Sequence, residues 1–208
     1  MVAIVDYGVG NLFSLECSLN AIGAEVAITA DPAVLKVADQ IILPGVGAFE
    51  DAAKKLRNSG LDAVLKELAA GGKPLMGICL GMQMLFEKSY EYGEHQGLGL
   101  IPGQVVPMEG VIPGDLKIPH IGWNALKFIK ESPIFAGIQD GDCVYFVHSY
   151  YAANCDADVI ATAEYGAELT AAVAKGNVFG CQFHPEKSGT VGLAILKAFT
   201  QLKEGTLC

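Results

Sequence analysis

Basic residues are scarce in this chain: 14 Lys and Arg stand against 23 Asp and Glu, a formal net charge of -9. Nucleic acid and anionic membrane surfaces reward clustered Lys and Arg, so neither is an expected partner. Long apolar runs are missing as well. Hydrophobic residues make up 51% of the chain, yet no uncharged stretch approaches the roughly 18 to 20 residues of a membrane-spanning helix. The opening MVAIVDYGVG lacks the basic head and small-residue cleavage site of a secretory leader, and a cytoplasmic location is expected. The six cysteines (Cys17, Cys79, Cys143, Cys155, Cys181 and Cys208) include no CxxC pair. That removes zinc and redox-pair spacings, leaves no metal site to expect, and makes reduced, small, buried hydrophobes the default for each thiol. No repeat, low-complexity tract or linker interrupts the 208 residues, which suit one domain over 1–208.

Short apolar runs at 2–6, 25–28, 40–43 and 74–78 alternate with helical periods at 11–22, 48–58, 61–70 and 80–87. Such alternation implies right-handed crossovers and a parallel sheet covered on both faces. Strand-like runs at 104–107, 142–150, 159–164, 169–175 and 177–183 then follow closely, with Gly and Asn turns that predict hairpins. A closing helix at 190–203 sets Val191, Ala194, Ile195, Ala198, Phe199 and Leu202 on one stripe. The Gly- and Pro-rich piece 90–120 reads as an irregular excursion. The expected class is α/β: an open, mostly parallel mixed sheet flanked by helices, with a nucleophile elbow.

That elbow is the stretch GICLGMQ, residues 77–83. Gly77-Ile78-Cys79-Leu80-Gly81 has the form G-x-nucleophile-x-G with Cys in place of Ser, at the carboxyl end of a strand. Small flanking residues leave room for a strained strand-to-helix turn. The helix N-terminus favours negative charge on the sulfur, and the Leu80 N–H points at an oxyanion formed there. A thiol nucleophile needs a base and a group to orient it. In GCQFHPE, Pro185 holds His184 extended, and Glu186, two residues on, shares its side. The order Cys, His, acid differs from the α/β-hydrolases, whose acid precedes the histidine.

Together these motifs resemble the class I, or triad, glutamine amidotransferases, which hydrolyse glutamine through a γ-glutamyl thioester and pass the ammonia to a synthase. The further stretches VDYGVGNL, ILPGVGAF, GLGLIPG, PHIGWN, VYFVHSYY and HPEKSG are similar, in order and over nearly the whole chain, to the glutaminase subunits of imidazole glycerol phosphate synthase. The resemblance implies Cys79 as nucleophile, His184 as acid and base and Glu186 as its orienter. It implies an oxyanion hole from Leu80 and the Pro44-Gly45-Val46-Gly47 loop, chiefly Val46 and Gly47. Glutamine contacts fall at Gly45, Gln83, Ser149, Tyr150 and Glu91, with Glu94 as the alternative acid because Tyr90-Glu91-Tyr92 departs from the family's acidic pair. No cofactor is implied.

The implied partner is a cyclase subunit, in a heterodimer that keeps ammonia from water. Tyr7, Gly10, Asn11, His120, Trp123, Asn124, Tyr145 and Lys187 are the expected docking residues, Trp123 as an aromatic anchor. Competing readings are a triad glutaminase serving anthranilate, pyridoxal phosphate or guanylate synthesis, or a non-catalytic interaction subunit of the same fold. Gly8-Val9-Gly10 does not complete a dinucleotide fingerprint, since Phe13 stands where its third glycine belongs.

Overall fold

Alternate residues of the first strand enter opposite cores: Ala3 and Val5 join one buried cluster, Val2 and Ile4 the other. The computed structural model describes residues 1–205, so Cys208 lies outside the described residues. The first half runs β1 (Val2–Val5), α1 (Leu12–Ala21), β2 (Val26–Thr29), α2 (Pro32–Val37), β3 (Gln40–Leu43), α3 (Phe49–Asn58), α4 (Leu61–Ala70), β4 (Leu75–Ile78) and α5 (Leu80–Met84). The second runs β5 (Phe86–Ser89), β6 (His95–Gln96), β7 (Ile101–Pro107), β8 (His120–Ala125), β9 (Lys127–Phe128), β10 (Cys143–His148), β11 (Tyr150–Ala153), β12 (Val159–Glu164), β13 (Glu168–Lys175), β14 (Val178–Cys181) and α6 (Gly189–Thr200).

The main sheet has eight strands in the order β2-β1-β3-β4-β14-β13-β12-β9. Its first five are mutually parallel, and β13, β12 and β9 add antiparallel, giving the mixed sheet that the sequence implies. Leu15 and Leu19 of α1 and Ile195, Leu196 and Phe199 of α6 pack on one face against Ile4, Ile42 and Phe179. Ala52 and Leu56 of α3 and Leu65 of α4 pack on the other against Val5, Ile41 and Leu43. Among the described residues no helix is long and apolar enough to cross a membrane.

Four expectations change. The helix expected at 80–87 stops at Met84, because Phe86–Ser89 is drawn into a second, four-stranded sheet of order β11-β7-β5-β6. The run 142–150 is not one strand: it breaks at Ser149, β10 pairing with β8 and β11 with β7. The 90–120 excursion is partly ordered, since it contains the whole of β6 and β7, and its remaining loop is anchored by Met108 and Ile112 against Leu169. Cys155 and Cys181 are buried thiols, whereas Cys17 and Cys143 are exposed. Helix α2 had been missed; at six residues it is too short to show a period, though Asp31 caps it by accepting from the Ala33 N–H at 2.8 Å.

Candidate active site

Three adjacent parallel strands end beside one another: β3 runs into the Pro44–Gly47 loop, β4 into Cys79 and β14 into Gln182 and His184. Cys79 has φ +54° and ψ -112°, outside the regions a non-glycine residue normally occupies. Such a residue stores on the order of 1–3 kcal/mol of strain. The flanking glycines make the turn sterically feasible. A Cβ on Gly77 would sit 2.5 Å from Gly81 O, and one on Gly81 1.9 Å from Leu43 O. The backbone is held by Cys79 N–H donating to Cys181 O at 2.8 Å and Gln83 N–H donating to Cys79 O at 3.1 Å. The sulfur receives a hydrogen bond from Gln182 Nε2 at 3.8 Å.

His184 is extended, at φ -100° and ψ 97°, and a single 3-10 turn over Pro185–Lys187 follows it. The turn, rather than the continuous extended segment expected, brings Glu186 back so that its Oε1 lies 2.7 Å from His184 Nδ1. Both side chains are almost wholly buried. The segment is clamped by His184 N–H donating to Tyr145 O at 2.9 Å and by the Ser188 hydroxyl, which donates to His184 O at 2.7 Å. Burial alone pushes the imidazole's pKa down, but hydrogen bonding and charge from Cys79 and Glu186 outweigh it and lift the ring to about 9. Nε2 is buried with no hydrogen-bond partner among the described residues, which leaves it available to a group bound in the pocket.

Cys79, Leu80, His184, Val46, Gly47, Gln83, Glu91, Ser149 and Tyr150 all line one pocket. Gly45 lies behind it, with its α-carbon against Gly81; a Cβ there would fall 2.7 Å from Gly81 N. Glu91 and Glu94 separate clearly. Glu91 Oε2 accepts from the Phe49 N–H at 2.6 Å, capping α3 from across the pocket, while Glu94 pairs with Lys88 at 3.2 Å away from it. Gln83 Nε2 donates to Tyr150 O at 3.1 Å and to Gln182 Oε1 at 3.0 Å. Two groups at the site escaped the sequence analysis: His148, buried in the pocket wall, and the fully buried Gln182, which lies behind the Cys79 sulfur. Their one signal was a polar residue in an otherwise apolar strand end, inside GCQFHPE and VYFVHSYY.

The expected docking residues divide. Trp123 is 57% exposed and meets Tyr145 edge-on at 6.0 Å between ring centroids, with Lys187 Nζ 5.8 Å from the Tyr145 ring. Asn11 is exposed and caps α1, its Oδ1 accepting from Ser14 N–H at 3.3 Å. Tyr7 is a correction: it is buried, and its hydroxyl donates to Pro44 O at 2.7 Å, so it braces the loop after β3 instead of facing outward. His120, the first residue of β8, is likewise buried. Asn124 spends its amide within the chain, donating to Glu164 O at 2.7 Å and accepting from Ala125 N–H at 2.8 Å.

Residues 3–201 match the family described as glutamine amidotransferase class-I. A protein of Bacillus cereus named imidazole glycerol phosphate synthase subunit HisH is 50% identical over 204 residues, covering 98% of this chain and 96% of the relative. Its namesake in Sulfurimonas denitrificans is 50% identical over 206 residues, covering 98% and 99%. Among solved structures, a crystal structure of a glutamine amidotransferase aligns with a TM-score of 0.74 at 20% identity over 96% of this chain and 99% of that one. PurLQS from Thermotoga maritima aligns at 0.74 and 22% identity over 95% and 96%. These structural likenesses speak to the fold.

Proposed function

Because this chain belongs to the class I glutamine amidotransferases, we propose that it hydrolyses glutamine through a Cys79 thioester, as the glutaminase subunit of imidazole glycerol phosphate synthase in histidine biosynthesis. The observation that carries the mechanism is the convergence of a strained Cys79 and a buried His184–Glu186 pair on one pocket. Cys79 Sγ attacks the side-chain amide carbon of glutamine, forming a C–S bond and a tetrahedral oxyanion. Leu80 N–H, which heads α5 and so has no intrahelical acceptor, and a backbone N–H of the Val46-Gly47 segment stabilise it.

At neutral pH the raised pKa keeps His184 an imidazolium, able to deliver its proton to the departing nitrogen as the C–N bond breaks. Ammonia leaves. Water then adds to the thioester carbon, its proton passing to His184, and the C–S bond breaks to release glutamate and leave the sulfur anion opposite the imidazolium, the pair with which the cycle begins. Glu91 receives the substrate's ammonium group, with Gln83, Gly45 and the backbone of Ser149 and Tyr150 completing the site.

The partner is a cyclase subunit, docked over the pocket mouth so that ammonia reaches it without passing through bulk water. Trp123 and Lys187, exposed and each packed on the half-buried Tyr145 ring, support that face, with Asn11 at its edge. The complex is a heterodimer working in the cytoplasm. Glutamate release by the chain alone, with a cyclase subunit, and with that subunit carrying its nucleotide tests the proposal. Release that needs Cys79, disappears in Cys79→Ala and rises sharply only with the liganded cyclase is the expected result. Equal rates with and without the cyclase reject the partner, and release that survives Cys79→Ala rejects the nucleophile.

A further inference from the structure

Two buried histidines take no part in the chemistry above. His120 on β8 and His148 at the end of β10 lie directly opposite one another in that antiparallel pair. His120 Nδ1 is 3.2 Å from His148 Nε2, and His148 Nδ1 is 2.9 Å from Tyr150 O. A carbonyl only accepts, so His148 carries a proton on Nδ1. In the neutral ring its Nε2 is then an acceptor, which obliges His120 to present Nδ1–H. Burial lowers the pKa of His120; it also pushes His148 down to about 4, helped by the nearby His120 and His184. Both rings are therefore neutral at working pH. Phe146 and Tyr165 stack on the His120 ring, with centroids at 5.0 and 4.1 Å, and hold its plane.

From Tyr150 the hydrogen bonds continue. The carbonyl that accepts from His148 also accepts from Gln83 Nε2, whose second N–H goes to Gln182 Oε1, and Gln182 Nε2 donates to the Cys79 sulfur. The chain of bonds reaches unbroken from β8 to the nucleophile. With both N–H groups of Gln83 engaged, Oε1 is the end it offers to a ligand in the pocket, and an oxygen acceptor selects an N–H donor.

We infer that the neutral His120–His148 pair is a positioning device for the glutamine site, fixing the Tyr150 carbonyl and through it the orientation of the Gln83 amide. It is built into the strand whose outward residues, Ile121 and Trp123, are exposed, so docking face and substrate site share one support. The inference rests on the glutaminase reading. Neither histidine touches the reacting atoms; both act through Tyr150 and Gln83.

The test uses the complex with its cyclase subunit and compares wild type, His148→Leu, His148→Asn and His120→Leu. Asparagine places an N–H near the Nδ1 position, so it keeps the donor to Tyr150. His148→Leu should raise the KM for glutamine by about tenfold, the loss of one buried hydrogen bond, with kcat changed less than about threefold. His148→Asn should restore KM to within about threefold of wild type, and His120→Leu should fall between the two. Nitrogen-15 NMR of the labelled wild-type chain, which needs no variant to fold, should show His148 protonated on Nδ1 and bare on Nε2. An Nε2-protonated ring, an unchanged KM in His148→Leu, or an asparagine variant as impaired as leucine overturns the inference. A wild-type complex that releases no glutamate overturns the glutaminase reading, and the positioning role with it; that outcome is distinct because no variant is involved.

Discussion

His184 sits in a contest between burial, which resists its charge, and two neighbours that favour it; the neighbours win and hold the ring near 9. Glu186 is the partner that substitution can remove without touching the nucleophile. Glu186→Gln keeps the shape and takes away the charge, so the alkaline limb of glutaminase activity should move acidward by at least about one pH unit. Rates measured against pH for both forms decide this, and a limb that stays in place would show that Glu186 does not set the ring's proton affinity. Cys79, His184 and Glu186 were readable as a set because glycine and proline advertise their backbone geometry within a few positions. Gln182 was not, since it meets the sulfur from 103 positions away and a lone polar residue at an apolar strand end does not say what it meets. Tyr7 was misread for the same reason: its partner, Pro44, lies 37 residues on.

At the scale of elements, the joint between β4 and α5 depends on absent side chains. Gly81→Ala would drive a methyl group to 1.9 Å from Leu43 O, a contact relieved only by moving β3 or the elbow. The variant should lose more than about 2 kcal/mol of stability and most of its activity, as overpacking and loss of site geometry combine. Gly71→Ala is the matched comparison. Its nearest neighbour would be an ordinary 3.4 Å away and its φ is -74°, so it should gain about 0.4–1 kcal/mol by restricting the unfolded chain. Urea denaturation midpoints check both, and a tolerated Gly81→Ala would refute the steric account of the elbow. The early βα units were legible because period-two and period-3.6 patterns are local. The end of α5 was not, because the apolar run through Leu85 and Phe86 suits a helix or a strand, and pairing with β7 decides for the strand.

Across the whole molecule, two of the three perturbed histidines, His184 and His148, pull stability in opposite directions. His184 is raised from 6.5 to about 9, so its contribution is fully present below pH 6.5 and is lost as pH climbs through 9. His148 is lowered from 6.5 to about 4, so its contribution is present above 6.5 and is lost as pH falls towards 4. Unfolding free energy from denaturant titrations should therefore peak near the middle of this range. His148→Leu should flatten the acid side relative to wild type while leaving the alkaline fall intact; an unchanged acid side would mean the ring is not held neutral by the fold. The parallel half of the main sheet and its two covered faces were visible in the sequence as alternating elements. The division of the later strands into three sheets was not, because Ser149 carries no glycine, proline or charge to announce that β10 and β11 part company.

That parting has a mechanical consequence. The two-stranded sheet passes to the four-stranded sheet in one residue at Ser149, whereas the other link, from β7 to β8, takes the long loop 108–119, and residues 147–150 form a wall of the pocket. The two small sheets are like plates joined by one tight pin and one slack strap, and any change in the angle between them turns the pin. A load on Trp123, far out on one plate, thus arrives at the substrate wall as torque, with the strand β10 as its lever arm.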